Sequence, residues 1–173
     1  MISIIPAEQR YFANHGWLKT FWLFSFSDYY DPENLNWGAL RVFNDDIVAP
    51  RTGFPPHSHQ NMEIVTIVLE GEISHEDSMG NKTTITAGEV QRMSAGTGVT
   101  HSEFNHGKEP LHLYQIWVLP REENIPPSYE QKDFSSLLKK NELTLLVSGM
   151  GAPNALSMNA DAEIYTAEIE AGK

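Results

Sequence analysis

The sequence predicts an all-β protein of the sandwich or barrel kind, with a smaller β unit near its C-terminal end. Three observations carry that expectation. Short runs rich in β-branched and aromatic residues recur at close spacing, with turn residues between them. Helical periodicity is weak along almost the whole chain. A polar stretch bearing several prolines separates the last long β run from a shorter pair.

Taken in order, strands are expected near residues 19–26, 38–48, 62–70, 72–77, 83–86, 89–94, 98–104 and 111–118. Asp31-Pro32-Glu33-Asn34 reads as a turn, and Gly80-Asn81 as the tight connection of a hairpin. Trp17, Phe21, Trp22, Phe24, Phe26, Tyr29 and Tyr30 form a dense aromatic stretch whose alternation marks core rather than a stacking surface for a flat ligand. Met62 and Met93 are expected to be buried. Together these elements make a first domain over residues 1–119.

Residues 120–141 read as a linker, because Pro120, Pro126 and Pro127 cannot donate to a central ladder and Glu122-Glu123 is a solvated charge pair. Within it, Phe134 to Lys140 has the spacing of one or two helical turns. Strands at 142–148 and 161–170 then belong to a unit spanning 142–173. That unit falls below the roughly 40 residues a domain needs to stand alone. It must pack on the first domain, on another copy or on something outside this chain.

A chain of 173 residues suits one full hydrophobic core and is marginal for two. Twelve Lys and Arg against 23 Asp and Glu give a formal charge of −11, which repels phosphate backbones and anionic lipid head groups. Neither direct nucleic-acid binding nor membrane association is expected. The absence of cysteine removes disulfides, thiolate metal sites and cysteine nucleophiles, so any metal must sit on nitrogen and oxygen. Met1 to Pro6 lacks the basic and apolar regions of a leader, and no run of about 18 apolar residues occurs, so a soluble cytoplasmic protein is expected.

His57-Ser58-His59 places two imidazoles at i and i+2, which in an extended segment share a face about 6.5–7 Å apart at Cα. His101-Ser102-Glu103 repeats that geometry with an imidazole and a carboxylate. If the two segments are neighbours in a barrel, four ligands point inward. Three imidazoles and a carboxylate suit one divalent Fe, Ni, Cu, Co, Mn or Zn ion and match Ca or Mg poorly. Four protein ligands on an octahedral ion leave two positions for substrate or dioxygen. The other histidines have plainer readings. His75 sits in a polar hairpin as a surface hydrogen-bonding residue, His15 and His106 lie near turns as solvated groups, and His112 could face either side of its strand.

Gly53-x3-His57-x-His59-x3-Glu63-x7-Gly71, followed by Gly88-x5-Ser94-Ala95-Gly96, His101 and Asn105, resembles the two motifs of the cupin superfamily. Ser94 stands where the second motif usually has proline, and His101 follows Gly96 at a longer distance than usual. Those departures point to one branch. Gly38-Ala39-Leu40-Arg41-Val42, His57-x-His59-x3-Glu63-Ile64-Val65-Thr66, Leu69-Glu70-Gly71, His75-Glu76-Asp77-Ser78-Met79-Gly80-Asn81, the Gly88 to Glu103 run and Gln115-Ile116-Trp117 together look like a bacterial pirin.

The resemblance implies a cupin fold, a double-stranded β-helix or jelly-roll barrel, with residues 142–173 as the opening strands of a second cupin. It implies the ligand set His57, His59, His101 and Glu103, holding iron(II), with Glu103 displacing Glu63 from the ligand role that carboxylate has in other cupins. It further implies dioxygenase activity on a flavonol such as quercetin, with Glu103 as the base that takes the substrate's hydroxyl proton. The alternative it leaves is a metal-containing regulatory protein that acts through a protein partner without catalysis. A homodimer formed through residues 142–173 would complete the missing sheet.

Overall fold

Alternating burial along short segments gives fourteen strands among the described residues, which run from 4 to 172. Met1 to Ser3, part of the stretch read above for a leader, and Lys173, the end of the unit 142–173, lie outside them. In this computed structural model the strands are β1 (Tyr11–Asn14), β2 (Leu18–Trp22), β3 (Leu40–Val48), β4 (Gly53–His59), β5 (Glu63–Glu70), β6 (Glu72–Asp77) and β7 (Lys82–Thr86). They continue with β8 (Glu89–Ser94), β9 (Val99–Phe104), β10 (Leu111–Val118), β11 (Ser128–Asp133), β12 (Thr144–Ser148), β13 (Leu156–Ser157) and β14 (Glu163–Thr166).

Seven strands form one sheet in the order β1-β2-β3-β10-β5-β8-β11, and four form a second in the order β4-β9-β6-β7. The two sheets face each other across a sandwiched interior. A third sheet, β13-β12-β14, covers the other face of the large one. The parity of β5 shows how one strand serves both faces. Ile64 and Val68 point into the sandwich, while Val65 and Ile67 point out toward Leu146, Val147, Leu156 and Met158 of the third sheet and its connections. Each fully buried aliphatic chain contributes roughly 1.5–3 kcal/mol. The tail is thus held by a shared apolar cluster, the first of the three options that its length allowed.

Inside the sandwich the apolar core is split in two. Leu18, Val48, Val68, Ile73, Ile85, Leu111 and Leu113 fill one end, and Ile64, Met93, Ala95 and Val99 fill the other. Between them runs a polar row across the large sheet. Paired registers place Asn44 beside Gln115, Gln115 beside Thr66, Thr66 beside Gln91 and Gln91 beside Gln131. On the small sheet, His75 pairs with Glu103 and Asp77 with His101.

The eight expected strands are present, with one difference at the first: β2 stops at Trp22, and Ser25 turns to accept and donate hydrogen bonds with Asn34 and Asp31. Four strands were missed: β1, β4, β11 and the two-residue β13. β1 is short and its burial pattern is mostly exposed, and β4 carries Pro55 and Pro56. Those prolines sit where the β4–β9 register shifts, between Phe54 and His57, which is how a strand tolerates residues without an N–H donor. The stretch 120–141 requires a correction, because it is only partly a connection. Its prolines end at 127, and Ser128–Asp133 adds to the edge of the large sheet by pairing with all of β8. Phe134 to Lys140 makes a single hydrogen-bonded turn rather than a helix, with Leu137 and Leu138 N–H groups both directed at the Phe134 carbonyl. Among the described residues no helix is long and apolar enough to cross a membrane.

Candidate metal centre

β4 and β9 bring the two residue pairs together. Cα register sets His57 opposite His101, and the bulge at the two prolines lets β4 turn its histidines inward. The strands approach so closely that a Cβ on Gly53 would lie 2.2 Å from the Glu103 carbonyl oxygen, so the first glycine of the motif is fixed by contact with the site strand. The ligand atoms of His57, His59 and His101 all lie within 4.8 Å of one another. His59 Nε2 and His101 Nε2 are 3.1 Å apart. His57 Nδ1 is 2.8 Å from the Pro55 carbonyl oxygen, so it carries the proton there and its Nε2 lone pair is free.

Burial, then the neighbouring His57, pushes His59 down to about 4; burial, then His57 and His59, pushes His101 down to about 3. Both rings are therefore neutral at pH 7, the state in which imidazole binds a metal. Glu103 is fully buried. Gln115 Nε2 donates to one oxygen at 3.1 Å and the Thr66 hydroxyl lies 3.5 Å from the other. Its ligand atom groups with those of His101 and His75. The four residues expected from the sequence are thus distributed over two groups that share His101. Burial, then Asp46, pushes Glu103 up to about 7.

Glu63 faces the other way. It is buried on the outer side of the large sheet, where Ser94 Oγ donates to it at 2.7 Å and the Asn159 amide at 3.1 Å. It fastens the tail and takes no part in the site.

A cavity of about 280 Å³ opens onto the histidines. Its walls are apolar and aromatic, among them Trp22, Phe26, Phe54 and Trp117, with Asn44, Asp46 and Gln115 as polar insets. Trp22 and Phe26, read from sequence as core, line this space. The indole edge of Trp117 stands against His59 at 4.9 Å between ring centroids. Asp46 is buried, its carboxyl pushed up to about 7 by burial and by Asp45, and its Oδ1 has no hydrogen-bond partner among the described residues.

His75 requires a second correction. Read as a surface residue, it is completely buried, because β6 pairs with β9 and turns it inward behind His101. Its Nε2 bonds Asp77 Oδ2 at 3.0 Å, and its ring packs on Tyr129 of β11 at 5.0 Å between centroids. The signal was present: His75-Glu76-Asp77 has the same i, i+2 spacing as the two ligand pairs. His15 and His106 are exposed as expected, and His112 is half-buried against Asp45 at 2.7 Å.

Comparison with known proteins bears on this arrangement. The family model described as "Pirin" matches residues 6–118. The chain belongs to the pirin family. It is 48% identical over 166 residues to a protein of Escherichia coli strain K12 named quercetin 2,3-dioxygenase, covering 95% of this chain and 71% of that one. It is 45% identical over 174 residues to a pirin-like protein of Caulobacter vibrioides, covering all of this chain and 75% of the relative. A crystal structure of the bacterial pirin YhhW from E. coli in complex with nickel(II) superposes with a TM-score of 0.86 at 48% identity, covering 92% of this chain and 68% of that one. The facing sheets of this pirin are accordingly a cupin β-sandwich.

The residues present fit a transition ion. Converging neutral imidazoles with a buried carboxylate beside them form the borderline N/O donor set that first-row divalent ions take. A divalent metal at this cluster is supported by the chemistry of the donors and by the nickel complex of the relative.

Proposed function

We propose that this pirin is a metal-dependent dioxygenase acting on a flavonol such as quercetin, with iron(II) held by His57, His59, His101 and Glu103. The observation that carries the proposal is the aromatic-walled cavity opening directly onto three converging imidazoles. The 48% identity to a protein named quercetin 2,3-dioxygenase supports the substrate class.

A divalent ion, when bound, supplies the Lewis acidity that makes a substrate hydroxyl easier to ionise and the partner that dioxygen needs. The protein does the rest. Trp22, Phe26 and Trp117 offer flat apolar surface that orients a ring system and keeps bulk water away. Glu103 is the base in this reading: it lies in the cavity wall, and burial raises its proton affinity toward that of a base working near neutral pH. Gln115 and Thr66 hold its two oxygens, limiting the rotamers from which it can accept the substrate's proton.

Protein loaded with iron(II) should consume oxygen and quercetin in step. His101→Ala and Glu103→Gln are expected to lower turnover by at least about 100-fold, in the range that a lost general base and a lost ligand share. Oxygen uptake unchanged in both variants would sink the proposal.

A further inference from the structure

Behind His101, on the side away from the cavity, lies a second chain of buried polar groups that the proposed chemistry does not use. His101 Nδ1 faces His75 Nδ1 at 3.5 Å, a long hydrogen bond. His75 Nε2 meets Asp77 Oδ2 at 3.0 Å, and the side chains of both His75 and Asp77 have no exposure. Asp77 is fixed in turn by the hairpin that follows it. The Met79 and Asn81 amides donate to Oδ1 at 2.9 and 3.0 Å, and Asn81 Nδ2 donates to Oδ2 at 2.8 Å. On the other side of His75 sits the ring of Tyr129, whose hydroxyl is held by Thr83 at 2.7 Å and Gln131 at 2.9 Å.

Proton positions along this chain are forced from one end. An ionised Asp77 accepts and cannot donate, so His75 must carry its proton on Nε2. The lone pair of His75 is then on Nδ1, which can accept a proton from His101 Nδ1. His101 in that tautomer has its lone pair on Nε2, the nitrogen that faces His59 and the metal cluster. We propose that Asp77 and His75 are positioning residues that lock His101 in the one neutral tautomer able to donate Nε2 to a metal. The inference rests on the metal-centre reading, and outer partners of ligand histidines commonly act in this manner.

The hairpin therefore has a function that its surface position conceals. Asp77 is the point where a turn, held by backbone amides, dictates the protonation of a ring two residues and one strand away. Replacing Asp77 by Asn keeps an oxygen for the two amides at Oδ1 and puts an NH₂ at the Oδ2 position. That NH₂ donates to His75 Nε2, moves the His75 proton to Nδ1, and sets it against the Nδ1 proton of His101. His101 must then shift its own proton to Nε2 and lose its ligand lone pair.

The test begins with the wild-type protein free of metal at neutral pH, where long-range ¹H–¹⁵N imidazole spectra distinguish the two tautomers of each ring. His75 protonated on Nε2 and His101 on Nδ1 is the expected result, and the opposite tautomer on either ring overturns the proposal. Nickel(II) titrations of wild type and Asp77→Asn then measure the consequence. Weakening by about 10–100-fold is expected, with altered cobalt(II) visible bands and one ion per chain in the wild type. Equal affinity and identical cobalt spectra in the two proteins would overturn it, as would two ions per chain, which would make His75 a ligand. If Asp77→Asn does not fold, the wild-type tautomers still decide. Wild-type protein that binds no nickel refutes the metal-centre reading separately, leaving the tautomer spectra to judge the relay.

Discussion

The two faces of the large sheet both bury charge, and they do it in opposite ways. On the outer face, Arg92 is buried and its two terminal NH₂ groups donate to Ser94, Ser128 and Ser157 and form an ion pair with Glu130, while Glu63 accepts from Ser94 and from the Asn159 amide. Cation, anions and donors meet in one network that joins the large sheet to the tail. Against the inner face, Asp46 and the facing Glu103 of β9 are buried with no Lys or Arg among the described residues beside them, and two imidazoles are held neutral. The outer network is electrically closed. The inner one is closed by protons on the two carboxyls or, beside the imidazoles, by a bound cation, which is what a metal centre would exchange for those protons.

Breaking the outer network should therefore cost folding, and breaking the inner one should cost ion binding. The largest stability effect is expected from Arg92→Ala, about 3 kcal/mol in chemical denaturation. That is near the low end for a severed buried pair, because Glu130 is partly exposed and can regain water. Glu103→Gln is the counterpart. It removes a carboxyl that burial already disfavours, so metal-free protein should be as stable as wild type or slightly more so, while nickel affinity falls. A Glu103→Gln protein as destabilised as Arg92→Ala would erase the distinction between the faces.

The pH dependence of the metal-free protein sharpens the same contrast. His59 and His101 have folded values of about 4 and about 3 against 6.5 unfolded, so their contribution is present above pH 6.5 and is lost as pH falls through 4. Glu103 and Asp46, raised to about 7, work in reverse: folding binds their protons, and that contribution is lost as pH rises from about 4 to about 7. Between pH 4.5 and 6 the two pairs oppose each other, and stability set by these four groups is nearly level. In Glu103→Gln one opposing proton is gone. Stability should then rise with pH across that window by up to roughly 1.4 kcal/mol per unit. Urea midpoints followed against pH would show it, and a level profile in the variant would contradict the assignment.

How much of this was legible follows from what each residue's position depends on. The strands of the interior and the His57, His59, His101 cluster could be read because side-chain alternation is local, and an i, i+2 pair announces its shared face without knowledge of its neighbours. β4 was hidden by Pro55 and Pro56, and its extended character showed only through its histidines. β11 was hidden because its first five residues are all only half-buried and its last is exposed, and it lies against the prolines of the connection, so no alternation marks it. His75 was misread for a related reason: its hairpin is polar, and what buries it is pairing with β9 and the cover of Tyr129, neither of which is adjacent in sequence. The placement of Asp46 and Gln115 around Glu103 likewise comes from the order β3-β10-β5, which no single strand encodes.

Tyr129 provides the smallest and most local test of the inner face. Its hydroxyl bonds Thr83 and Gln131, tying the edge strand of the large sheet to β7, while its ring covers His75. The phenol itself is pushed up to about 12, chiefly by burial, so it stays protonated and contributes no charge to the interior. Tyr129→Phe keeps the ring and removes the hydroxyl, so the expected loss is about 1 kcal/mol of stability from the two bonds. His75 remains covered in that variant, and the imidazole tautomers and nickel affinity should not move. Tyr129→Ala opens the His75 ring to water, which competes for its Nδ1 and loosens the contact with His101. Nickel affinity should then fall severalfold, less than in Asp77→Asn, because Asp77 still sets the proton on Nε2. If Tyr129→Phe reduced affinity as much as Tyr129→Ala, the hydroxyl rather than the covering ring would be what the metal centre depends on.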